Sequence, residues 1–513
     1  MTVKPDSTAD HSDELPAFGV AAVVDAARDD LESVEKTDSA ARTKSGNALV
    51  RGSLWTIAGY GAGQVLRLVG NVVVSRFLLP ESFGLMALVN VFLQALVMFS
   101  DMGVEPSIIQ HRRGDEPRFR NTAWTLQVIR GGVLFLAALV LAWPVAMFYA
   151  EPRLLTILPV AALSAVIAGF NSTALFTARR HLQLGRLTLL ELGSQAVGLI
   201  VMIGWAWYQP SVWALVGGSI ATSLVVAASS HRLIAGAGNR FDWERESFHD
   251  LFHFGKWILV STLVMFCAMQ ADRLLLGKLI SLDRLGIYSV AVAIATLPNL
   301  LLGMLAGAVL YPLLARHGRE SSASMIEPLR AARSVLLSIG WLLILGVIAV
   351  GPTFFQVIYD QRYAGAGEIA RWLAIAVWFF VLSTTAERAL PAIGDPRGLA
   401  TFNLVKLLAT VPLVLVGFYA ADLTGFILGM AGGAAVAHLW LLWRLQRHGL
   451  SLLKQDGLYT LSLAIVATGV ILAEPWAEQT IRFGGVILAT PWIMLAALYA
   501  YRQLLDLRRW SHG

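Results

Sequence analysis

The chain has 513 residues, of which 56% are hydrophobic and 14% charged, with a formal net charge of +6 and a mean hydropathy of +0.64. A soluble domain carries about 25% charged residues, so soluble multi-domain folds are excluded. The basic excess is scattered between apolar runs and does not point to nucleic acid, and the single cysteine, Cys267, cannot form an intrachain disulfide.

Residues 1–50 stand apart. Up to Ser45 they hold ten Asp/Glu and five Lys/Arg without sustained periodicity. This stretch reads as a disordered acidic tail. It lacks the basic and apolar regions of a cleaved signal peptide.

Fourteen apolar spans follow, at roughly 52–76, 83–110, 122–148, 154–178, 187–208, 211–232, 254–279, 285–314, 333–357, 366–391, 398–419, 423–443, 457–474 and 483–503. Their connections alternate in charge. One side carries 26 Lys/Arg, including Arg112, Arg113, Arg118 and Arg120, and Arg330 and Arg333. The other carries 6: Arg76, Arg153, Lys278, Arg284, Arg362 and Arg482. The positive-inside rule then places both termini in the cytoplasm. Trp207, Tyr208, Tyr359, Tyr363 and Tyr419 fall near outer span ends, where an interfacial aromatic belt is expected.

An internal repeat organises the spans. "FLLPESFGLM" (77–86) matches "LISLDRLGIY" (279–288) at an offset of 202 residues. Each has an acid, Glu81 or Asp283, three residues before a glycine, Gly84 or Gly286. Each joins the first span of a six-span set to the second, so the two sets form a parallel repeat. The predicted fold is an all-α polytopic membrane protein of about 14 transmembrane helices: two six-helix lobes plus two extra C-terminal helices. The predicted units are the tail 1–50, an N-lobe 51–235, a linker 236–252, a C-lobe 253–450, and an appendage 451–513.

The first span, "GSLWTIAGYGAGQVLRLVGNVVVSRFL" (52–78), contains a permanent cation, Arg67. Thr56, Tyr60, Gly63/Gln64, Arg67, Asn71 and Ser75 recur at steps of three and four, on one helical face. An ionised side chain costs several kcal/mol at the bilayer centre unless protein or water receives it. Two readings follow: a buried arginine paired with a carboxylate or with backbone carbonyls, or a water-filled cationic cleft. The first span of the second lobe repeats the pattern with Thr262, Phe266, Met269/Gln270, Arg273 and Gly277, and the offset aligns Arg273 with Asn71. Both cations then lie roughly 22–26 Å from the cytoplasmic helix start. Arg130, Lys406 and Arg371 are further cations inside spans. Asp101, Glu105, Glu191, Asp272, Glu368 and Glu387 are the acids. Asp101, Glu105, Glu191 and Glu387 fall near cytoplasmic ends, where solvation or a structural ion pair is the simpler reading.

There is no phosphate loop GxxxxGK[ST], no HExxH, no cysteine cluster and no histidine pair at metal spacing. Every predicted outer loop is short. The inventory suits a carrier that makes and breaks no covalent bonds and needs no cofactor.

"SRFLLPESFGLMAL" (75–88), "FSDMGVEPSIIQ" (99–110), "FTARRHLQLGRLTLLEL" (176–192) and "ADRLLLGKLISLDRLGIYSVA" (271–291) resemble the bacterial polysaccharide-transporter family. That family includes flippases of lipid-linked O-antigen and exopolysaccharide units, within the multidrug/oligosaccharidyl-lipid/polysaccharide exporter superfamily. The resemblance spans about residues 50–450. It implies two six-helix bundles around a central cavity, alternating access, and a cytoplasmic (inner) membrane location. The implied cargo is an undecaprenyl-pyrophosphate-linked oligosaccharide; membrane lipids, a polysaccharide polymerase and chain-length machinery are the implied partners. Arg67 would be a headgroup ligand, since its forked donors suit phosphate. Arg273, Gln64, Asn71, Tyr60, Arg130, Lys406 and Arg371 complete the expected cavity set. Asp101 and Asp272 are candidate carriers of a coupling proton or sodium ion. The rival readings are a cation-coupled multidrug antiporter of the same fold, an O-antigen polymerase or ligase, and a structural scaffold. The antiporter needs buried carboxylates in the cavity, and a polymerase or ligase needs a large periplasmic loop.

Overall fold

A computed structural model describes residues 55, 58–100, 104–232, 238–245, 266, 269–317, 322–480, 490–492, 494 and 495. The acidic tail, most of the predicted seventh and fourteenth spans, and Asp101 lie outside the described residues. Among the described residues the chain is helical, with no strand. The helices are α1 (58–75), α2 (Pro80–Phe99), α3 (Val104–Gln110), α4 (Pro117–Tyr149), α5 (Leu154–Gly169), α6 (Ala174–Arg180), α7 (Leu184–Tyr208) and α8 (Val212–Arg232). They continue with α9 (269–279), α10 (Leu282–Ala295), α11 (Leu297–His317), α12 (Ser322–Ile358), α13 (Ala366–Ala386), α14 (Ala389–Ala392), α15 (Pro396–Arg447) and α16 (Leu453–Thr480). Nine of the described helices are long and apolar enough to cross a membrane, and α5 with α6 makes a tenth if the bent pair is one span.

Local chemistry sets several boundaries. Pro80 and Pro117 start α2 and α4, where a missing N–H costs nothing. The Ser281 side chain caps α10 by accepting from the Arg284 amide. One predicted continuous span is broken. The fourth bends by 62° between α5 and α6, where Asn171, Ser172 and Thr173 interrupt the apolar run. The eighth runs on through Thr296, which keeps helical geometry and donates to the Val292 carbonyl. The eleventh and twelfth appear as the single run α15, but the chain turns back at Ala421 and Asp422, which leave helical geometry. Its halves touch through small residues. A Cβ added at Gly417 would lie 2.0 Å from the Gly425 carbonyl oxygen, and one at Gly429 2.3 Å from that of Leu413.

The helices pack as two groups. In one, α4 packs on α5, α5 on α8, and α7 on α8. In the other, α13 packs on α10, α11, α12 and α15. The groups join where α2 crosses α10. There, a Cβ on Gly84 would sit 2.0 Å from the Leu282 carbonyl oxygen, and one on Gly286 would sit 1.8 Å from that of Pro80. Pro80 and Leu282, like Gly84 and Gly286, are 202 residues apart. Each glycine therefore meets the counterpart of the residue that its own counterpart meets, as a local two-fold axis requires. The sequence repeat is thus a repeat in space, and its two glycines are the closest points of the crossing.

The arginine-poor helix ends gather on one face and tie the groups together. Arg76 Nη2 donates to the Ile358 carbonyl (2.6 Å), and Arg362 Nη2 to the Arg76 carbonyl (3.1 Å). Lys278 Nζ donates to the Phe148 carbonyl (2.5 Å). Tyr149 and Tyr363 donate to the Leu274 and Leu78 carbonyls at 3.1 and 2.9 Å. Two of the five expected belt aromatics, Tyr359 and Tyr363, are therefore interior, packed against Phe355 and Phe83. Trp207, Tyr208 and Tyr419 are exposed as expected.

Candidate functional site

The first helix shows how the site is built. α1 packs against α7 through glycines: Gly59 meets Thr188, Gly63 meets Gln195, and Gly70 meets Leu199. Val65 and Val69 are exposed on another face. Arg67 is also exposed, but at 100° per residue it lies about 160–200° around the helix from them. Tyr60, Gln64 and Asn71 share the Arg67 side. Gln64 Nε2 donates to the Tyr60 hydroxyl (2.8 Å). Among the described residues Arg67 has neither an ion pair nor a hydrogen bond. The buried-ion-pair alternative does not describe it there.

One turn beyond Arg67, Asn71 reaches a cavity of about 300 Å³ between the two groups. Its polar lining is Asn71, Asn90, Gln94, Gln270, Arg273 and Ser289, from α1, α2, α9 and α10. Gln270 Nε2 donates to Gln94 Oε1 (2.6 Å), and Arg273 Nη1 donates to Gln270 Oε1 (2.7 Å). A side-chain relay therefore runs from one group to the other and ends on the guanidinium. Phe83 also lines the cavity and packs edge-on against Tyr363, at 5.7 Å between ring centres. Further toward the arginine-rich end the groups meet again at Phe99 and Phe266 (5.1 Å).

The other expected site residues lie elsewhere. Arg130 lines a separate cavity of about 560 Å³ inside the first group, with Glu105, Gln127 and Asn171. It donates to Ser100 Oγ (2.8 Å) and the Val97 carbonyl (2.6 Å). Lys406 stands over the Phe380 ring at 4.6 Å. Arg371 is buried and fully engaged, with Glu474 (2.5 Å), Glu368 (3.0 Å) and the Ile348 carbonyl (3.0 Å). It belongs to the interior of the second group, not to the cavity. Asp272 accepts from the buried Tyr288 hydroxyl (2.8 Å), and its second oxygen is buried without a hydrogen-bond partner among the described residues. Glu105 and Glu191 pair with Arg179, as the structural reading of those acids expects.

Sequence reasoning missed Asn90, Gln94 and Ser289. A signal existed for two of them: Asn90 and Gln94 are one helical turn apart in an otherwise apolar span. It also misread Arg333, which was counted among the loop cations. Arg333 is 0% exposed and bridges to Asp456 at 2.6 and 3.0 Å; His438 Nε2 lies 2.9 Å from the same carboxylate. Arg333 Nε and Nη2 further donate to Thr385 Oγ1 and the Leu382 carbonyl. Asp456 and Glu474 both lie on α16, 18 residues or about 27 Å apart along the axis. α16 is thus pinned to the second group at two heights and is no loose appendage. Among the described residues no cluster of His, Cys, Asp or Glu is placed to hold a metal ion.

A family profile described as "Polysaccharide biosynthesis protein" matches residues 73–368, more than half of the chain. The chain belongs to this family. Polysaccharide biosynthesis also recurs in the names of its relatives. The teichuronic acid biosynthesis protein TuaB of Bacillus subtilis (strain 168) is 25% identical over 390 residues, 73% of this chain and 78% of TuaB. The succinoglycan biosynthesis transport protein ExoT of Rhizobium meliloti (strain 1021) is 20% identical over 73% of this chain and 75% of its own. In three dimensions the chain is similar to the lipid II flippase MurJ in an inward closed conformation, with a TM-score of 0.65, 14% identity, and coverage of 88% of this chain and 99% of MurJ. An inward-facing multidrug resistance MATE transporter follows at a TM-score of 0.59 and 15% identity, covering 75% of this chain and 95% of its own. The fold is that of polytopic transporters of the multidrug/oligosaccharidyl-lipid/polysaccharide exporter superfamily.

Proposed function

We propose that this family member is a flippase. It moves an undecaprenyl-pyrophosphate-linked oligosaccharide repeat unit across the cytoplasmic membrane, by alternating access, for surface or secreted polysaccharide. The observation that carries the reading is Arg67: an exposed, unpaired guanidinium among the described residues, on a polar face of the first predicted span. An always-charged fork in such a place is suited to the anionic part of a cargo that must cross hydrocarbon. Asn71 carries the same face into the cavity between the groups. The arginine-rich ends face the cytoplasm, both termini lie there, and the ties at Arg76, Arg362 and Lys278 close the periplasmic side. The lipid tail stays in the bilayer while the head passes between the groups. Asp272, with one oxygen unpartnered, is the place for a coupling proton or sodium ion.

The MATE-like fold favours the second reading, a multidrug antiporter. The cavity lining opposes it, because among the described residues it contains an arginine and no carboxylate to hold a cationic drug. Deleting the gene separates the two. The flippase reading expects lipid-linked oligosaccharide to accumulate in the cytoplasmic leaflet and one polysaccharide to disappear. Normal polysaccharide with raised drug sensitivity would establish the antiporter instead.

A further inference from the structure

The cavity of about 560 Å³ lies wholly inside the first helix group, between α2, α3, α4, α5 and α6. It forms where the fourth predicted span bends. Gln127 Nε2 donates to the Ala168, Gly169 and Asn171 carbonyls (3.0, 3.1 and 3.2 Å), which caps the broken end of α5. Those carbonyls only accept, so the carboxamide is fixed with its oxygen turned away from them. That oxygen, Gln127 Oε1, and Asn171 Oδ1 are buried without a hydrogen-bond partner among the described residues. Glu105 lines the same cavity. It pairs with Arg179, which also serves Glu191, so two carboxylates share one guanidinium. Arg130, elsewhere on the lining, carries the opposite charge. The lining is therefore zwitterionic, and it offers more acceptors than the fold supplies donors. A buried acceptor left unmet is costly, so this set calls for a donor from outside the fold.

Depth identifies the source of that donor. Tyr149, at the arginine-poor end of α4, is 19 residues from Arg130, about 28 Å along the axis. The hydrocarbon of a bilayer is about 30 Å thick, so with Tyr149 at one edge Arg130 stands at the other, at the height of the lipid headgroups. Leu134, one turn deeper, is apolar, and Val97, Ile109 and Phe176 extend the apolar lining. Val97 and Ala168 are exposed, so the cavity reaches the surface of the group. We propose that this cavity binds a zwitterionic phospholipid with a primary ammonium headgroup, of the phosphatidylethanolamine class. The ammonium brings three N–H donors to Gln127 Oε1, Asn171 Oδ1 and the Glu105 carboxylate. The phosphate lies toward Arg130, and the acyl chains follow the apolar lining into the bilayer. A trimethylated choline headgroup has no N–H to give, and a glycerol headgroup has no positive charge. The lipid is a resident of the α5–α6 bend and not cargo, so the proposal does not rest on the flippase reading.

The test is native mass spectrometry of the purified, delipidated full-length protein in detergent. It is titrated with phosphatidylethanolamine, phosphatidylcholine and phosphatidylglycerol carrying the same acyl chains, and with free O-phosphoethanolamine. Charge-assisted hydrogen bonds predict that phosphatidylethanolamine binds about tenfold or more tightly than either other lipid. Asn171→Leu removes that preference, while the melting temperature without lipid holds or rises because a buried unmet acceptor is gone. Glu105→Gln keeps an acceptor but loses the charge, and so reduces the preference. Arg130→Gln weakens all three lipids, since each carries a phosphate, and leaves their ratio unchanged. Equal binding of the three lipids, or a preference that survives both Asn171→Leu and Glu105→Gln, overturns the proposal and leaves the cavity to water. Free O-phosphoethanolamine binding as tightly as the lipid makes the ligand a soluble amine and overturns it too. None of those results touches the flippase reading, which the leaflet distribution of lipid-linked oligosaccharide decides.

Discussion

Two regions of this molecule hold arginines within mainly apolar helices, and they treat them oppositely. In the second helix group Arg333 and Arg371 are buried, and each meets at least one carboxylate and a backbone carbonyl. Around the inter-group cavity, among the described residues, Arg67 is exposed and unpaired, and Arg273 donates only to the neutral Gln270, at 2.7 Å. The residue type is the same and the apolar context is the same. What differs is whether the fold itself supplies the counter-charge. Where it does, the cation fastens helices, here α16 to α12 and α13. Where it does not, the proposed function supplies the counter-charge from the cargo.

The largest effect expected from this contrast is on folding. Asp456→Leu strands the fully buried Arg333 and should cost about 3–5 kcal/mol, the penalty of an uncompensated buried charge. Folded protein in the membrane should fall sharply, read by fluorescence-detected size exclusion. The double variant Arg333→Met/Asp456→Leu should recover most of it, because removing both charges leaves an apolar contact. If the single variant is fully abundant, the pair is not a fastener and the contrast weakens.

The second pair should behave alike but more mildly. Glu474→Gln leaves Arg371 its bond to the half-exposed Glu368 and to the Ile348 carbonyl. A loss of about 1–3 kcal/mol is expected, the range for one charged hydrogen bond, read as a lower melting temperature.

The smallest effect belongs to a paired carboxylate outside the spans. Asp395 caps α15 through the Gly398 amide (2.9 Å) and accepts from Arg444 Nε (2.8 Å). The Arg444 hydrogen bond holds its carboxyl below the usual carboxylate range. A lowered folded value means the stabilisation is complete above the unfolded value near 3.9 and is lost as pH falls through the folded one. Asp395→Asn should therefore cost about 1 kcal/mol at neutral pH, with the gap from wild type closing below about pH 4. A gap that widens on acidification would contradict the assignment.

Much of this was legible in the sequence, for physical reasons that can be named. The all-α, many-span character followed from apolar length, and the Glu81/Gly84 and Asp283/Gly286 match marked a repeat, though not that its two glycines meet where α2 crosses α10. The Arg67 stripe was visible because helical spacing puts its members on one face. What the sequence hid was pairing. Arg333 looked like a loop cation because it sits at a span's end, and its partner Asp456 is 123 residues away. Arg371 looked like a cavity residue because nothing in its own span announces Glu474 on α16. Asn90 and Gln94 were passed over because neutral amides raise no charge signal, although they line the cavity together with Arg273. The bend at Asn171 was hidden inside a run apolar enough to be read as continuous.

The most direct test of the central claim, that an unpartnered intramembrane cation serves the cargo, is one paired measurement on Arg67 variants. Membrane abundance and polysaccharide export are recorded in the same cells for Arg67→Gln and Arg67→Lys. The account predicts wild-type abundance for both, export nearly abolished in Arg67→Gln, and partial export in Arg67→Lys, which keeps the charge but loses the bidentate fork. An abundant Arg67→Gln protein that exports at the wild-type level would contradict it.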